Sequence, residues 1–579
     1  MMEATTNLQL DQLLEELYTH KKKWAGLSVA KRIQLLKQCQ DDLLAESKNW
    51  VQSACKAKEI NFDSPLSGEE WMNGPLVTMR NLRILIEVLE EIQKHGRPDL
   101  KKQDLKKLQS GQCVVNVFPK NFWDKLLYNG FRAEVWLQKD VTEEDFFSNI
   151  AWTYQKKSEQ KSTQQNDLEA NTKEGKVSLV LGAGNVSSIA PMDVLYKLLV
   201  ENEVCLLKMN PVNEYIGPHL QKSFRALVEA GFLKIAYGGA DVGNYLAEHE
   251  LVDNIHMTGS DRVHDIIVWG KPGKEQNENR KNKTPKLKKP ITSELGCVTP
   301  VIVVPGNWSQ KELQFQAENV ANMVVNNASF NCNAAKVLLT WKHWKQREDF
   351  LDLVEKELVK SHARKAYYPG SEEKYVSFLR DHTEAKMLGR RKEDVIPWTT
   401  IFDVDPKNSQ DIVFTTEAWC GVLAEAPFEA DNTKEFVKAA VKFCNEKIWG
   451  TLSCSVIVDP KTQKQLGDTF EHAIADLKYG SIVINHWGAL SYGFVYTTWG
   501  AFPGHHLDDI QSGIGVVHNA YMIDKPEKSV VYGPFTMPFK PPWFSSHAQG
   551  HHLAKKLTEF EHSPSMFKTF GIALSTLRG

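Results

Sequence analysis

Val177-Ser178-Leu179-Val180-Leu181, followed at once by Gly182-Ala183-Gly184-Asn185, is the stretch on which the reading of this chain turns. Five uncharged, mostly apolar residues cut off by a glycine-rich turn suit a strand buried on both faces. A helix-like run, Ile189 to Val200, comes next, and then the unit repeats. Val204-Cys205-Leu206-Leu207-Lys208 precedes a helical run from Ile216 to Ala230. Phe232 to Tyr237 ends in Gly238-Gly239 and leads to a helix reaching Glu250, and Val252 to Met257 ends in Thr258-Gly259-Ser260. Strands alternating with helices imply a parallel α/β sheet. Ligands on such sheets bind beyond the carboxyl ends of the strands, which is where these glycines fall. Glycine turns also serve tight packing alone, so they mark a place rather than a ligand.

Outward from this core the alternation continues. Pro300 to Pro305 reads as a strand, helix and strand alternate from Lys336 to Val458, and Ser481 to Asn485 is the last strong strand. Upstream, residues 7–61 and Gly68 to His95 show helical spacing of leucines and isoleucines, while Val114–Phe118 and Ala133–Leu137 alternate as strands. Residues 156–176 are polar enough for an exposed extension or hairpin, and the basic insert 271–289 reads as a solvated loop. From Asp524 the chain is rich in proline and aromatics, with a helix from Gly550 to Phe560. The expected division is a first domain over 1–290, a second over 291–485, and a return to the first with a tail over 486–579.

With 579 residues the chain exceeds a single core, and its net charge of −2 gives no global attraction for nucleic acid or an anionic membrane. Nine cysteines without CxxC spacing argue against a disulfide framework or a zinc knuckle, and a reducing cytoplasm is the expected location. No secretory leader and no bilayer-length apolar run is visible. His505-His506 with Asp508-Asp509, and His551-His552, lack metal-ligand spacing, so no metal site is expected.

Cys332 stands in Asn326-Asn327-Ala328-Ser329-Phe330-Asn331-Cys332-Asn333-Ala334-Ala335, between a helical run (Gln314 to Val325) and a strand (Val337-Leu338-Leu339). A helix-to-strand loop with small neighbours can present a thiol to a ligand. Neighbouring groups that move protons make such a thiol a nucleophile. A lone cysteine is more often a small buried hydrophobe.

Six motifs in order give Cys332 a context. Asn185 and Lys208 stand at a spacing found in the aldehyde dehydrogenase superfamily. Gly238-Gly239-Ala240-Asp241-Val242-Gly243, Thr258-Gly259-Ser260, Glu294-Leu295-Gly296 with Pro300, Asn327 with Cys332, and Glu417-Ala418-Trp419 follow in that family's sequence. The chain resembles the superfamily from about Trp24 to about Asn519. That resemblance implies an α/β fold with a Rossmann-type cofactor domain, an α/β catalytic domain and a small oligomerisation element, assembled as a homodimer or homotetramer.

The resemblance also implies chemistry. Cys332 would attack an aldehyde, Asn185 and the Cys332 backbone N–H would hold the oxyanion, and Glu294 would activate water to release the acid. Lys208, Gly238, Gly243, Gly259, Ser260, Glu417 and Trp419 would hold NAD or NADP. No acidic residue follows Lys208 (Met209-Asn210-Pro211), which leaves the two cofactors open. Ser329-Phe330, Cys297-Val298 and Trp419-Cys420-Gly421 depart from the family pattern. Trp487, Tyr492, Phe494, Tyr496 and Trp499 suggest an apolar aldehyde. The alternatives are an acyl-CoA or acyl-thioester reductase using the same cysteine, and a non-catalytic binding protein on this fold.

Overall fold

The computed structural model describes residues 2–155 and 174–579. Most of the polar extension expected over 156–176 therefore lies outside the described residues. Three strands, β1 (Leu105–Lys107), β2 (Cys113–Phe118) and β3 (Arg132–Leu137), follow the N-terminal helices Asn7–Ala25, Val29–Ala57 and Val77–His95. Next come β4 (Val177–Leu181), β5 (Val204–Lys208), β6 (Leu233–Ala236), β7 (Asn254–Gly259) and β8 (Ile291–Leu295). β9 (Thr299–Val303), β10 (Ala335–Trp341), β11 (Lys386–Leu388), β12 (Trp398–Ile401), β13 (Val422–Phe428), β14 (Ser453–Ile457) and β15 (Ser481–Ile484) form the second series. The short β16 (Trp499–Gly500), β17 (Gly513–Ile514) and β18 (Val516–Val517) precede β19 (Pro526–Tyr532).

Two sheets result. The smaller has the order β17-β8-β7-β4-β5-β6, parallel from β8 to β6 with β17 antiparallel at its edge. Its strands carry almost no exposed residue, as the uncharged runs require. The larger runs β1-β2-β3-β19-β15-β14-β9-β10-β13-β12-β11. The chain steps from one sheet to the other at Gly296–Val298, between β8 and β9, a few residues beyond the division expected at 290/291. Cys332, just before β10, lies at this seam.

Other differences have local causes. The helix expected from Ile216 to Ala230 breaks at Phe224 (φ −107°, ψ 23°) into Gly217–Ser223 and Arg225–Glu229. The insert 271–289 is not loop throughout: Lys274–Lys281 is helical, tied down where Asn279 Nδ2 donates to the Trp269 carbonyl at 2.9 Å. Within the region read as tail, Pro526–Tyr532 enters the larger sheet between β3 and β15. Helix Gln310–Val325 starts on a capping box, Ser309 with Glu312, and delivers the chain to the Cys332 loop.

Candidate active site

The loop before Cys332 is held in a costly conformation. Asn327, Ala328 and Ser329 all have positive φ (51°, 54° and 68°), a region that L-residues avoid by about 1–2 kcal/mol each. A buried polar network compensates. The Asn327 backbone N–H donates to Glu69 Oε2 at 3.0 Å, and its side-chain amide donates to the Asn185 carbonyl at 3.1 Å. Asn327 Oδ1 accepts from Lys58 Nζ and from the Tyr367 hydroxyl, each at 2.9 Å. Lys58 in turn meets both Glu70 oxygens at 2.9 and 3.0 Å, and Arg364 Nη1 reaches Glu69 Oε2 at 2.8 Å. Burial alone would lower the Lys58 ammonium; the Glu70 carboxylate overrides this, and the pKa is raised. On the far side Lys336 Nζ clasps Ser329 through its carbonyl (3.1 Å) and hydroxyl (2.9 Å).

Of the nine cysteines only Cys332 is not fully buried. Its thiol faces the Glu294 carboxyl across the seam between the sheets. Glu294 is pushed up to about 8, first by burial and then by the negative charge of Asp193. Burial, then Glu294 and Glu417, raise the Cys332 thiol well above its ordinary value. Two buried acids that oppose each other's ionisation keep their protons near neutral pH. The buried Trp499 indole N–H lies beside the Glu294 carboxyl. Asn185 spends one amide N–H on the Phe330 carbonyl at 2.9 Å, two residues before Cys332. An amide nitrogen carries a second N–H, which leaves one donor for another acceptor.

At the carboxyl end of the smaller sheet, Lys208 closes β5 with its ammonium lowered to about 8 by burial, opposed by Glu214. Gly238 has φ 135°, and a Cβ there would strike Val242 Cγ2 at 2.5 Å, so only glycine serves. Above Gly239 and Gly243 a Cβ would meet nothing within 4 Å. Gly259 ends β7, and Ser260 is the exposed N-cap of helix Asp261–Trp269, accepting from the Val263 N–H. An open turn, a helix N-terminus and a lysine at a strand end are groups that suit the phosphates and ribose of a dinucleotide. Met2–Thr5 runs alongside: Thr5 N–H donates to the Tyr237 carbonyl at 3.0 Å.

Glu417 folds toward Cys332. Its Oε1 accepts from the Cys297 N–H at 3.3 Å, and a Cβ on Gly296 would fall 2.2 Å from Oε2. Burial lifts this carboxyl to about 7, against the pull of Lys374 and Lys336. Trp419 has φ 47°, and its ring lies 5.2 Å from Tyr368 and 6.2 Å from Phe330. The aromatic group expected to line a substrate site divides. Trp487 Nε1 donates to the Asn333 carbonyl at 2.8 Å, and the Tyr492 hydroxyl bonds Ser188 Oγ at 2.9 Å, both beside the site. Phe494 instead stacks on Phe118 at 4.4 Å and Tyr496 on Tyr521 at 5.5 Å, in the packing under β2. The paired histidines are occupied differently. His505 Nε2 bonds Thr451 Oγ1 at 2.7 Å, and the His551 and His552 rings lie 3.9 Å apart.

A sequence model described as the aldehyde dehydrogenase family matches residues 173–366, the span that holds Asn185, Lys208, Glu294 and Cys332. That match covers about a third of the chain, and over it the chain is similar to the aldehyde dehydrogenase family. No curated protein sequence matches the chain. Solved structures share the fold at low identity. Glyceraldehyde-3-phosphate dehydrogenase GapN from Methanocaldococcus jannaschii DSM 2661, complexed with NADP, is 13% identical over 92% of this chain and 96% of its own, with a TM-score of 0.58. The NADP-dependent glyceraldehyde-3-phosphate dehydrogenase from Bacillus halodurans C-125, complexed with NADP, is 15% identical over 92% of each chain, with a TM-score of 0.58. An indole-3-acetaldehyde dehydrogenase complexed with NAD+ is 16% identical over 92% of this chain and 90% of its own, with a TM-score of 0.58.

The site also contains residues that sequence reasoning did not single out. Lys58, Glu69, Glu70, Lys336, Arg364 and Tyr367 all bond to the Cys332 loop or to its braces. Glu69-Glu70 in an apolar helical run with Trp71 was the one signal available, because adjacent carboxylates there need partners once buried.

Proposed function

We propose that this chain oxidises an aldehyde with NAD or NADP, using Cys332 as the nucleophile. The family match over residues 173–366 supports an aldehyde dehydrogenase-like oxidoreductase. The observation that carries the mechanism is the buried Cys332–Glu294 pair beside the nucleotide sheet. In the ionised fraction Glu294 takes the thiol proton as sulfur bonds to the aldehyde carbon, and the oxyanion forms against the second Asn185 N–H and the Cys332 backbone N–H. The nicotinamide, when bound, supplies the hydride acceptor. Loss of hydride leaves a thioester on Cys332. Glu294, having released its proton, then deprotonates water, whose oxygen bonds the acyl carbon as the carbon–sulfur bond breaks. Lys208, Ser260 and the turn from Gly238 to Gly243, open above Gly239 and Gly243, would hold the adenosine and pyrophosphate end. Glu417 and Trp419 would border the nicotinamide ribose.

One observation favours the reverse direction. A Glu294 carboxyl that keeps its proton to about 8 activates water poorly at neutral pH, so a Cys332 thioester would persist long enough to be reduced. The deciding experiment measures binding of NAD+ and NADP+ to wild type and Lys208→Ala, then offers aldehydes with the oxidised cofactor and acyl-CoA with the reduced one. Cys332→Ala is the blank. Nucleotide binding weakened by Lys208→Ala and turnover lost in Cys332→Ala are expected. Binding of neither nucleotide would remove the enzymatic reading and leave the fold.

A further inference from the structure

The C-terminal helix, Met566–Thr576, buries Ile572 against Leu553 and Phe560 but turns most of its large apolar residues outward. At about 100° per residue, Met566, Leu577, Phe570, Leu574 and Phe567 share one arc roughly 100° wide. Burial should have drawn that arc inward. Instead Met566 is 61% exposed, Phe567 89%, Phe570 67%, Leu574 40% and Leu577 62%, while Thr569 and Ser575 on the opposite side are 8% and 5% exposed. The same face continues onto Phe122, Leu126 and Phe539, each about half exposed or more. Between the helix and these residues runs an apolar groove of about 570 Å³, lined by Tyr128, Phe131, Trp543 and Leu553 among others. Isolated exposed apolar side chains are ordinary, but a contiguous group of eight is the signature of a face that something covers.

Charge says what covers it. From Ser563 to Gly579 there is no acidic residue, and Arg578 flanks the arc, while Lys568 lies away from it and donates to the Glu559 carbonyl at 2.7 Å and the Ser563 carbonyl at 3.0 Å. Lys125 lies exposed on a neighbouring segment, Lys540 on another pairs with Glu318 at 3.2 Å, and Asp124 is turned inward beneath Arg80 at 3.4 Å. We propose that this face docks on an anionic membrane surface, with the helix in the headgroup plane, the phenylalanines at the acyl boundary and the cations on lipid phosphates. A second copy suits the face poorly, because a two-fold contact sets its basic rim against itself. Among the described residues no helix is long and apolar enough to cross a membrane, so the attachment is interfacial. The chain's net charge of −2 offers no general attraction, which makes the effect local to this face.

Flotation of the full chain with phosphatidylcholine vesicles, with and without phosphatidylserine, tests this at low and high salt. Binding to the phosphatidylserine vesicles, weakened by salt, is expected. It should fall about tenfold or more in Phe567→Ser/Phe570→Ser and, separately, in Lys125→Gln/Arg578→Gln. Both pairs are at the surface, and unchanged thermal melting shows that they fold. Absence of binding to phosphatidylserine vesicles, or binding indifferent to both pairs of substitutions, overturns the proposal. So does a concentration-dependent dimer of the wild type that Phe567→Ser/Phe570→Ser dissolves, which would assign the face to a second copy.

Discussion

Glu294 is a carboxyl whose burial and whose neighbour Asp193 hold its pKa at about 8, against an ordinary 4.5. It acts as a base only when ionised, so aldehyde oxidation should rise with pH through about 8 and level off above it. The same group shapes stability. Between its ordinary value and about 8 the folded chain keeps a proton that the unfolded chain has released. The folded state therefore loses ground steadily as pH climbs across that window. Glu294→Gln removes the titration. Acid production should drop by roughly 10²–10⁴-fold, and urea unfolding at pH about 7.5 should show a gain on the order of 2 kcal/mol over wild type that shrinks toward pH 5. A gain of equal size at both pH values would mean that the glutamine packs better, and the titration argument would fail.

At the scale of the element, the Cys332 loop shows what a sequence discloses and what it withholds. Asn185, Glu294 and Cys332 are legible because the proposed chemistry calls for those residue types and they stand in an order shared with a known family. Lys58, Glu70 and Arg364 are not. A lysine at the end of a long helix looks like a solvated charge, and its bond to Asn327 spans 269 positions. The positive φ of Ala328 is likewise invisible, since nothing local marks an alanine for a left-handed conformation. Removing one member of a buried ion pair leaves the other uncompensated, which costs about 3–5 kcal/mol, whereas replacing both can be nearly neutral. Lys58→Met should therefore lower unfolding stability by about 3 kcal/mol and reduce turnover. Lys58→Met/Glu70→Leu should recover most of the stability without recovering kcat, because the ammonium no longer braces Asn327. If turnover returned with stability, the network would be structural only.

Across the whole molecule, the two series of strands were readable from alternation, but the closing of the larger sheet was not. β19 is a seven-residue run among prolines, and its place between β3 and β15 depends on a partner, β3, that lies hundreds of positions away. Lys528 shows why it stays: its buried Nζ donates to the carbonyls of Ala475 at 2.7 Å and Leu477 at 2.8 Å, where a helix ends and its dipole is negative. The chain's two ends meet in a second buried cluster. Arg80 Nη1 and Arg83 Nε each reach Glu561 at 2.7 Å, joining helix Val77–His95 to helix Gly550–His562. Burial alone would raise Glu561, but Arg83 and Arg80 prevail and its pKa is lowered. A lowered carboxylate contributes stability above its unfolded value of 4.5 and loses it as pH falls through the folded value. Glu561→Gln should cost about 3–5 kcal/mol at pH 7 by leaving two guanidinium groups underpaired. As pH falls through the lowered folded value the wild type takes up the Glu561 proton and should approach the variant, so their urea midpoints converge. Parallel midpoints from neutral to acid pH would show that the cluster holds the ends by packing and not by charge.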